Sequence, residues 1–438
     1  MLRRTAIVLL LITAIPAVGQ EQERWSFRHR LEIRANYRDS DEARFQLRFP
    51  FPPEMLRPGR TAGFLETVDP GSHGELSVVS LQLDAAYGDW FAARAKVHVQ
   101  DKYRRNPTSG DKQVDAEELF VRIGPKPEFL DRPEGTSFFV QVGKAPKMER
   151  QPLRLLESYG VAATAFNRFE DLQVLSGGTI GRNFYWRVQV ANGNPLYFRD
   201  TNALAGDNGV RELLRPNPDP DLNSGFPILY NAEAEGWGFR TDRLQLGEGL
   251  GYRWQNAARD LGFDLIVFHY RRTLEDEANL TGTFYGGDLD LLDGVGGISL
   301  PVTSREKKEY GGRLYAEWRE GTFIAQFTKQ NIAGLQREGI EGEVGYRLPL
   351  SFGPRVGVEP LIQSIQPAVR WSELTNRFRG PREFVAPSVW WNWKKLDYGV
   401  RIAFAKNADL TIERSRHSIS APGKPAPHET LVTLRVRV

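Results

Sequence analysis

The chain has 438 residues, a formal net charge of +3 and no cysteine. The lack of cysteine excludes disulfides and thiol catalysis and predicts that the chain is not a lipoprotein, while a charge so close to zero argues against a nucleic-acid partner. Beyond the N-terminus no stretch is apolar enough to predict a transmembrane helix. That still allows a membrane barrel, because barrel strands alternate and have a low mean hydropathy.

The N-terminus has the pattern of a secretory signal peptide. A basic start at Arg3 and Arg4 is followed by an apolar run and by small residues that predict cleavage near Gln20. The run is too short for a membrane anchor, which needs about 20 apolar residues. We therefore predict a signal peptide at 1–19 and one outer-membrane β-barrel at 20–438.

Apolar and polar residues alternate from Trp25 onward, which indicates strands with one apolar and one polar face. In the first segment the polar face carries Arg28, Arg30, Glu32, Arg34 and Asn36. The same period recurs along most of the chain. We predict strands at 25–37, 76–87, 91–103, 116–124, 137–144, 168–180, 184–192, 238–254, 261–272, 309–319, 322–332, 338–350, 356–371, 387–395, 398–416 and 429–438.

Sixteen strands predict an all-β fold, a transmembrane antiparallel β-barrel that is wide enough for an aqueous channel. Residues 42–51 also alternate, as a further strand or as a hairpin inside the first loop, so 18 strands is the alternative count. Near Glu359 the parity slips, which predicts a bulge or the entry to a strand.

Turns alternate between short and long. Short turns lie near 88–89, 181–183, 255–260, 320–321, 351–355 and 395–397. The connections at 193–235 and 273–308 are long and polar, and aromatic residues crowd the short turns. Short periplasmic turns, long external loops and an aromatic girdle are typical of barrels in the bacterial outer membrane.

The connection 145–167 is the candidate constriction loop. It carries Lys147, Arg150 and Arg154, with Lys144 at its root. If it folds into the lumen, basic side chains there favour anions. Further candidates for the pore lining are the strand residues Arg28, Arg30, Arg34, Arg94 and Lys96. The alternative, of equal weight, is that these side chains only solvate the lumen and pair with carboxylates.

Residues 86–193 resemble the phosphate-selective porin O and P family. The resemblance is carried by Ala-Tyr-Gly-Asp-Trp at 86–90, Glu-Leu-Phe-Val-Arg-Ile-Gly at 118–124, Val-Gln-Val-Gly-Lys-Ala-Pro at 140–146, Phe-Asn-Arg at 166–168 and Gln-Val-Ala-Asn-Gly at 189–193. It implies a trimer of 16-stranded barrels and a preference for phosphate.

The family's arginine ladder and lysine cluster have possible counterparts in this chain. The resemblance implies a ladder role for Arg28, Arg30 and Arg34, and a constriction role for Lys144, Lys147 and Arg150. The chain departs from the general barrel pattern at its end, where Val438 replaces the usual terminal aromatic residue.

The sequence therefore predicts an outer-membrane porin for passive diffusion of small polar or anionic solutes, with lipid around it and no cofactor. The alternatives are an outer-membrane enzyme, an alginate-export-like channel and an adhesive barrel. No histidine lies in a nucleophile motif, and Gly-x-Ser-x-Gly does not occur, so no catalytic residue is predicted. The aspartates within 285–294 do not match a calcium-loop spacing, so no metal is predicted.

Overall fold

The computed structural model describes residues 25–42, 44–46, 64–67, 71–88, 90–100, 114–126, 135–166, 170–193, 208–210, 244–274, 300–350, 353–357, 359–382, 390–404, 407–424 and 426–438. The predicted signal peptide and the aspartate-rich segment 285–294 lie outside these residues. None of the helices among them is long and apolar enough to cross a membrane.

Sixteen long strands account for most of the described chain. They are β1 (Trp25–Ser40), β2 (Gly71–Tyr87), β3 (Phe91–Gln100), β4 (Val114–Ile123), β5 (Ser137–Pro146), β6 (Glu170–Ile180), β7 (Phe184–Ala191), β8 (Gln245–Gln255), β9 (Leu261–Thr273), β10 (Glu306–Trp318), β11 (Gly321–Ile332), β12 (Leu335–Tyr346), β13 (Ile362–Asn376), β14 (Trp393–Phe404), β15 (Ala408–Ile419) and β16 (His428–Arg437). A two-residue strand, Leu348–Pro349, continues β12 along β13. One short helix, α1 (Val161–Phe166), follows β5.

The strands form one closed antiparallel barrel. Each pairs with its neighbours in the order given, and β1 pairs both with β2, in the register Trp25↔Tyr87, and with β16, in the register Glu32↔Arg437. Closure gives each of these sixteen strands a partner on both sides, as the interior of a bilayer requires. The all-β barrel predicted from the alternation is confirmed, with sixteen strands.

The two faces of the wall differ as the period of two predicts. Large apolar side chains point outward and are exposed, for example Phe27 at 63% and Leu250 at 66%. Polar side chains point inward, and Gln189, Asp397 and Thr411 are each 0% exposed. An apolar outer face around a polar interior is the arrangement of a membrane barrel.

Aromatic rings gather at the short-turn end. Trp25 lies 4.9 Å from Tyr87 between ring centroids, and Tyr87 lies 5.6 Å from Trp90. Rings of this kind prefer the headgroup level of a bilayer. The cluster therefore marks one membrane boundary, on the side that corresponds to the periplasm in outer-membrane barrels.

The alternative count of 18 strands is wrong. Arg44–Gln46 pairs with Phe64–Thr67, and that strand pairs with Asn208–Val210, in a three-stranded sheet separate from the barrel. The first loop therefore contains a hairpin, which was the other reading of the alternation at 42–51. The paired segment there has three residues, which is too short to span a bilayer, since a spanning strand takes roughly 9–11 residues.

Two predicted strand boundaries near the C-terminus are also wrong. The turn expected at 395–397 lies within β14, near its start, where Asp397 pairs in register with Arg370. A cluster of charges suggested a turn, but Lys395 and Asp397 both point inward and alternate with apolar outward residues. The strand predicted at 356–371 is instead β13, preceded by a small ribbon of Arg355–Val356 and Glu359–Pro360.

Candidate functional site

The segment between β5 and β6 lies inside the barrel. We call residues 147–166 the lumen loop. Its helix α1 is buried, with Val161 and Ala165 at 0% exposure and Phe166 at 2%. Most of the wall residues that it contacts, as described below, belong to inward-facing positions of the barrel strands. The loop that was a candidate from the sequence thus occupies part of the lumen.

Carboxylates of the wall hold the backbone N–H groups of the lumen loop. Leu155 N–H and Leu156 N–H both donate to Glu343 Oε1, at 3.0 and 2.9 Å. Glu157 N–H and Ser158 N–H donate to the two oxygens of Glu413, at 2.8 and 2.7 Å. Hydrogen bonds to an ionised acceptor are roughly twice as strong as neutral ones, so these contacts fix the loop against β12 and β15.

Cationic groups of the wall hold the loop's carbonyl oxygens. Arg370 donates to Ser158 O at 2.8 Å and to Ser158 Oγ at 2.7 Å, and Lys395 Nζ donates to Tyr159 O at 2.9 Å. Arg370 also donates twice to Asp397 Oδ2, at 2.9 and 2.8 Å. Arg370 is 0% exposed, so its charge depends entirely on these partners.

Two apolar clusters complete the docking of the loop. Leu155 and Leu156 pack with Tyr315, Ile324 and Ala368, three buried residues of the wall. Helix α1 contributes Val161, Ala165 and Phe166 to a second cluster with Leu374, Trp393, Ile419 and Ala421. Apolar side chains at inward positions of a polar lumen are therefore explained by the loop that covers them.

An arginine cluster surrounds Glu157 of the lumen loop. Its carboxylate lies 2.7 Å from Arg401, 3.0 Å from Arg435 and 3.7 Å from Arg34. Arg435 also donates to Asp409 at 2.9 Å. Burial alone raises the pKa of Glu157, but the guanidinium groups of Arg435, Arg34 and Arg401 outweigh it and lower the pKa to about 2.

Lys147 lies at the start of the lumen loop in a buried network. Its Nζ is 2.5 Å from Glu309 and 3.0 Å from Glu149, donates to Phe166 O at 3.0 Å, and lies 4.5 Å from the centre of the Tyr270 ring. Lys147 is 4% exposed. Two carboxylates thus balance its charge, and the contacts give it a structural part in the root of the loop.

We expect Lys147→Met to destabilise the barrel by about 3–5 kcal/mol, because it leaves Glu149 and Glu309 buried without the ammonium group that contacts both. Thermal unfolding, followed by the heat-dependent migration of the folded barrel in gels, measures the loss. A variant as stable as the unaltered protein would contradict this structural part of Lys147.

The wall of β1 to β4 is the more open side of the lumen. Arg94 lies 2.6 Å from Asp84 and 3.4 Å from Glu118, and Lys96 lies 3.8 Å from Glu118. Their side chains are 29% and 25% exposed, whereas inward residues behind the lumen loop, such as Ser372, are at 0%. The lumen is therefore open along the β1 to β4 wall and covered by the loop at β13 and β15.

The other residues singled out from the sequence are distributed over both sides. Arg28 and Arg30 are exposed and face Asp84 and Gln82 in register. Arg34 joins the arginine cluster at Glu157, whereas Lys144 is buried at 3%.

Two basic residues of the lumen loop have contacts of their own. Arg150 pairs with Glu170 at the base of β6. Arg154 stacks 3.6 Å above the Tyr159 ring. The structure thus brings Arg94 and Lys96 together on one wall and leaves Lys147 on another.

The residues that dock the loop were not found from the sequence. Arg370, Glu343 and Glu413 each lie at inward positions of an alternating strand, which marks them as lumen residues and nothing more. Their partners are backbone groups about 190 to 260 positions away in the chain. Every residue type except proline has a backbone N–H, so no local sequence pattern could pair these side chains with the loop.

A scan against models of known protein families finds no match, and neither does a search of characterised proteins. Solved structures do match. The outer-membrane channel DcaP of Acinetobacter baumannii is 8% identical, with 97% of this chain and 100% of that chain covered and a TM-score of 0.51. Pseudomonas putida OprB is 7% identical, with 94% of each chain covered and a TM-score of 0.51. The chain therefore has the fold of outer-membrane porins, a closed barrel of sixteen strands that resides in the bacterial outer membrane.

Proposed function

We propose that the protein is a passive diffusion channel for small hydrophilic solutes, with a pore narrowed by the lumen loop. The observation that carries the proposal is the one-sided docking of that loop. It covers the inward residues of β12 to β15 and leaves the charged wall of β1 to β4 accessible. DcaP, which shares the fold, is described as an outer-membrane channel.

The proposed pore prefers anions, because basic side chains outnumber acidic ones on its accessible wall. The basic ones are Arg28, Arg30, Arg34, Arg94, Lys96 and Arg122, and the acidic ones among the described side chains are Glu32, Asp84, Glu117 and Glu118. The carboxylates of two consecutive residues at the β4 bulge both point inward. Glu117 contacts His98 at 2.8 Å, and Glu118 contacts Arg94. The excess is small, so a modest preference is expected, and its extension to phosphate rests on the resemblance of 86–193.

Two further features belong to the same proposal. The signal peptide at 1–19 directs export, and the mature barrel begins near Gln20. The protein assembles as a homotrimer, which the resemblance to the phosphate-selective porins implies.

The test is single-channel recording of the folded protein in a planar bilayer across a KCl gradient. We expect discrete current steps and a reversal potential biased toward chloride. Arg94→Gln with Lys96→Gln should remove that bias or turn it toward potassium, because Asp84 and Glu118 keep their charges. Arg377→Gln, an exposed arginine paired with Glu338, is the matched control and should change nothing. Replacing chloride by phosphate tests the finer preference.

A folded barrel without current would refute the channel. Current without a chloride bias would leave the channel and refute the anion preference.

A further inference from the structure

Two arginines of β15 point toward the bilayer. The outward positions of this strand carry Leu410 and Ile412 and then Arg414 and Arg416, both exposed. In register, Arg416 faces Leu396 on the neighbouring strand, and Leu396 is an exposed apolar residue. The two guanidinium groups therefore lie at a height in the barrel wall where the outward residues of the neighbouring strand β14 are still apolar.

These arginines differ from several other basic residues on the outer surface, which have a carboxylate partner. Arg377 pairs with Glu338, Lys394 lies 3.2 Å from Glu373, and Lys308 pairs with Glu306. Within the described parts of the chain, neither Arg414 nor Arg416 has a carboxylate within ion-pair distance. Arg414 donates to Thr430 Oγ1 at 2.7 Å, which is a neutral acceptor.

An unpaired cation on the outer face of a barrel has a cost that depends on depth. An arginine destabilises a barrel by roughly 2–4 kcal/mol at the bilayer midplane and by about 0–1 kcal/mol near the interface. Two of them side by side on one strand also repel each other. An anion supplied by the membrane itself removes both penalties.

An apolar groove of about 640 Å³ opens beside Arg414 on the same outer face. Outward side chains of five strands, β12 to β16, line it, among them Val344, Val369, Tyr398 and Ile412. Arg414 forms part of the same lining, so one end of the groove is cationic. The combination fits a molecule with an apolar chain and an anionic head.

The groove follows one cross-strand row of the barrel. Val344, Val369, Tyr398, Arg414 and Thr430 are successive register partners from β12 to β16. Val344 lies near the short-turn end of β12, and Thr430 lies near the long-loop end of β16. The row therefore climbs across the wall, and its cationic end is the one nearer the external leaflet.

We propose that Arg414 and Arg416 bind a phosphate group of a lipid in the external leaflet, with an acyl chain of that lipid in the adjoining groove. Guanidinium groups recognise phosphate through paired charge-assisted hydrogen bonds. An acyl chain in the groove makes van der Waals contacts along its length, more than it would make on a flat outer surface. This site depends on the membrane position of the barrel and not on the proposed channel function.

The test is native mass spectrometry of the folded protein in detergent, with diphosphoryl lipid A as the probe and its dephosphorylated form as the comparison. We expect retention of the phosphorylated lipid only. Arg414→Gln with Arg416→Gln should weaken retention about tenfold or more, which corresponds to the loss of one or two charge-assisted bonds. Val369→Trp, which fills the groove, should weaken it as well.

Two control variants match these changes. Arg377→Gln removes an exposed arginine that has its own carboxylate, and Val267→Trp enlarges an outward residue of β9, away from the groove. Both should retain lipid like the unaltered protein.

Equal retention in the Arg414 and Arg416 double variant would overturn the proposal. So would a change in the number of chains per complex with lipid retention unaltered, because the face would then contact a second copy of the chain. Neither result would bear on the channel, which is tested separately by current.

Discussion

Arg370→Ala is expected to release the lumen loop and raise the single-channel conductance. The change removes four hydrogen bonds, two to Asp397 and two to Ser158. It also leaves Asp397 and the nearby Glu343 buried without this cation, which costs about 3–5 kcal/mol for a buried pair broken from one side. The loop then loses its main anchor on β13, and the pore widens.

Conductance, current noise and protease cleavage within 147–166 measure this release. Arg377→Ala is the control, because its salt bridge is exposed and exposed pairs contribute about 0–1 kcal/mol. If the Arg370→Ala barrel is too unstable for current recording, a lowered thermal midpoint still reports the loss, and Arg370→Lys preserves one cation for the conductance measurement. Unchanged conductance in a folded Arg370→Ala barrel would show that the loop does not narrow the pore.

Glu157→Gln is expected to increase chloride preference and to lower stability. Glu157 is the carboxylate shared by Arg34, Arg401 and Arg435, so its neutralisation leaves their charge less balanced. A unit charge acts over 4 Å with about 1 kcal/mol even in bulk water. That is roughly a fivefold change in the chloride-to-potassium permeability ratio. Stability should fall by about 1–3 kcal/mol, less than for a fully buried pair, because Arg435 is buried but Arg34 and Arg401 are partly exposed.

The same residue predicts how the unaltered protein responds to acid. The pKa of Glu157 is about 2 in the folded protein and has a reference value of 4.5. Because the folded value is depressed, its stabilisation is fully present above pH 4.5 and is lost as the pH falls toward 2. Reversal potentials should therefore be insensitive to Glu157 between pH 5 and pH 8.

Glu320→Gln is the matched control, because Glu320 pairs with the exposed Arg347 at a short turn. If Glu157→Gln leaves stability and selectivity unchanged, Glu157 does not balance the charges of the arginine cluster, which would contradict the account.

The barrel itself could be predicted because its signal is periodic and repeated. In β1, residues such as Trp25 and Phe27 face outward and Arg34 and Asn36 face inward, as alternation requires. Where charged residues cluster, alternation alone cannot distinguish a turn from the inside of a strand. For this reason the turn predicted at 395–397 is wrong. There the charges are satisfied inside the lumen, where Asp397 pairs with Arg370 and Lys395.

The site was predicted only in part. Loop position and basic residues pointed to 145–167, but residue type alone does not show which cations face solute. Lys147 is neutralised in a buried network, whereas Arg94 stays partly exposed. The difference arises from long-range contacts, such as that between Lys147 and Glu309, which sequence spacing does not encode.

The most direct test of the account is thiol accessibility during single-channel recording. The chain contains no cysteine, so introduced thiols are the only ones present. Gln82→Cys lies on the open wall, and Ser372→Cys lies behind α1, where Ser372 Oγ accepts Val161 N–H at 3.1 Å. A positively charged thiol reagent should change the current through the Gln82 variant and leave the Ser372 variant unaffected. Modification of Ser372→Cys with Gln82→Cys unreactive, or no current from either folded barrel, would contradict a pore that runs between the lumen loop and the β1 to β4 wall.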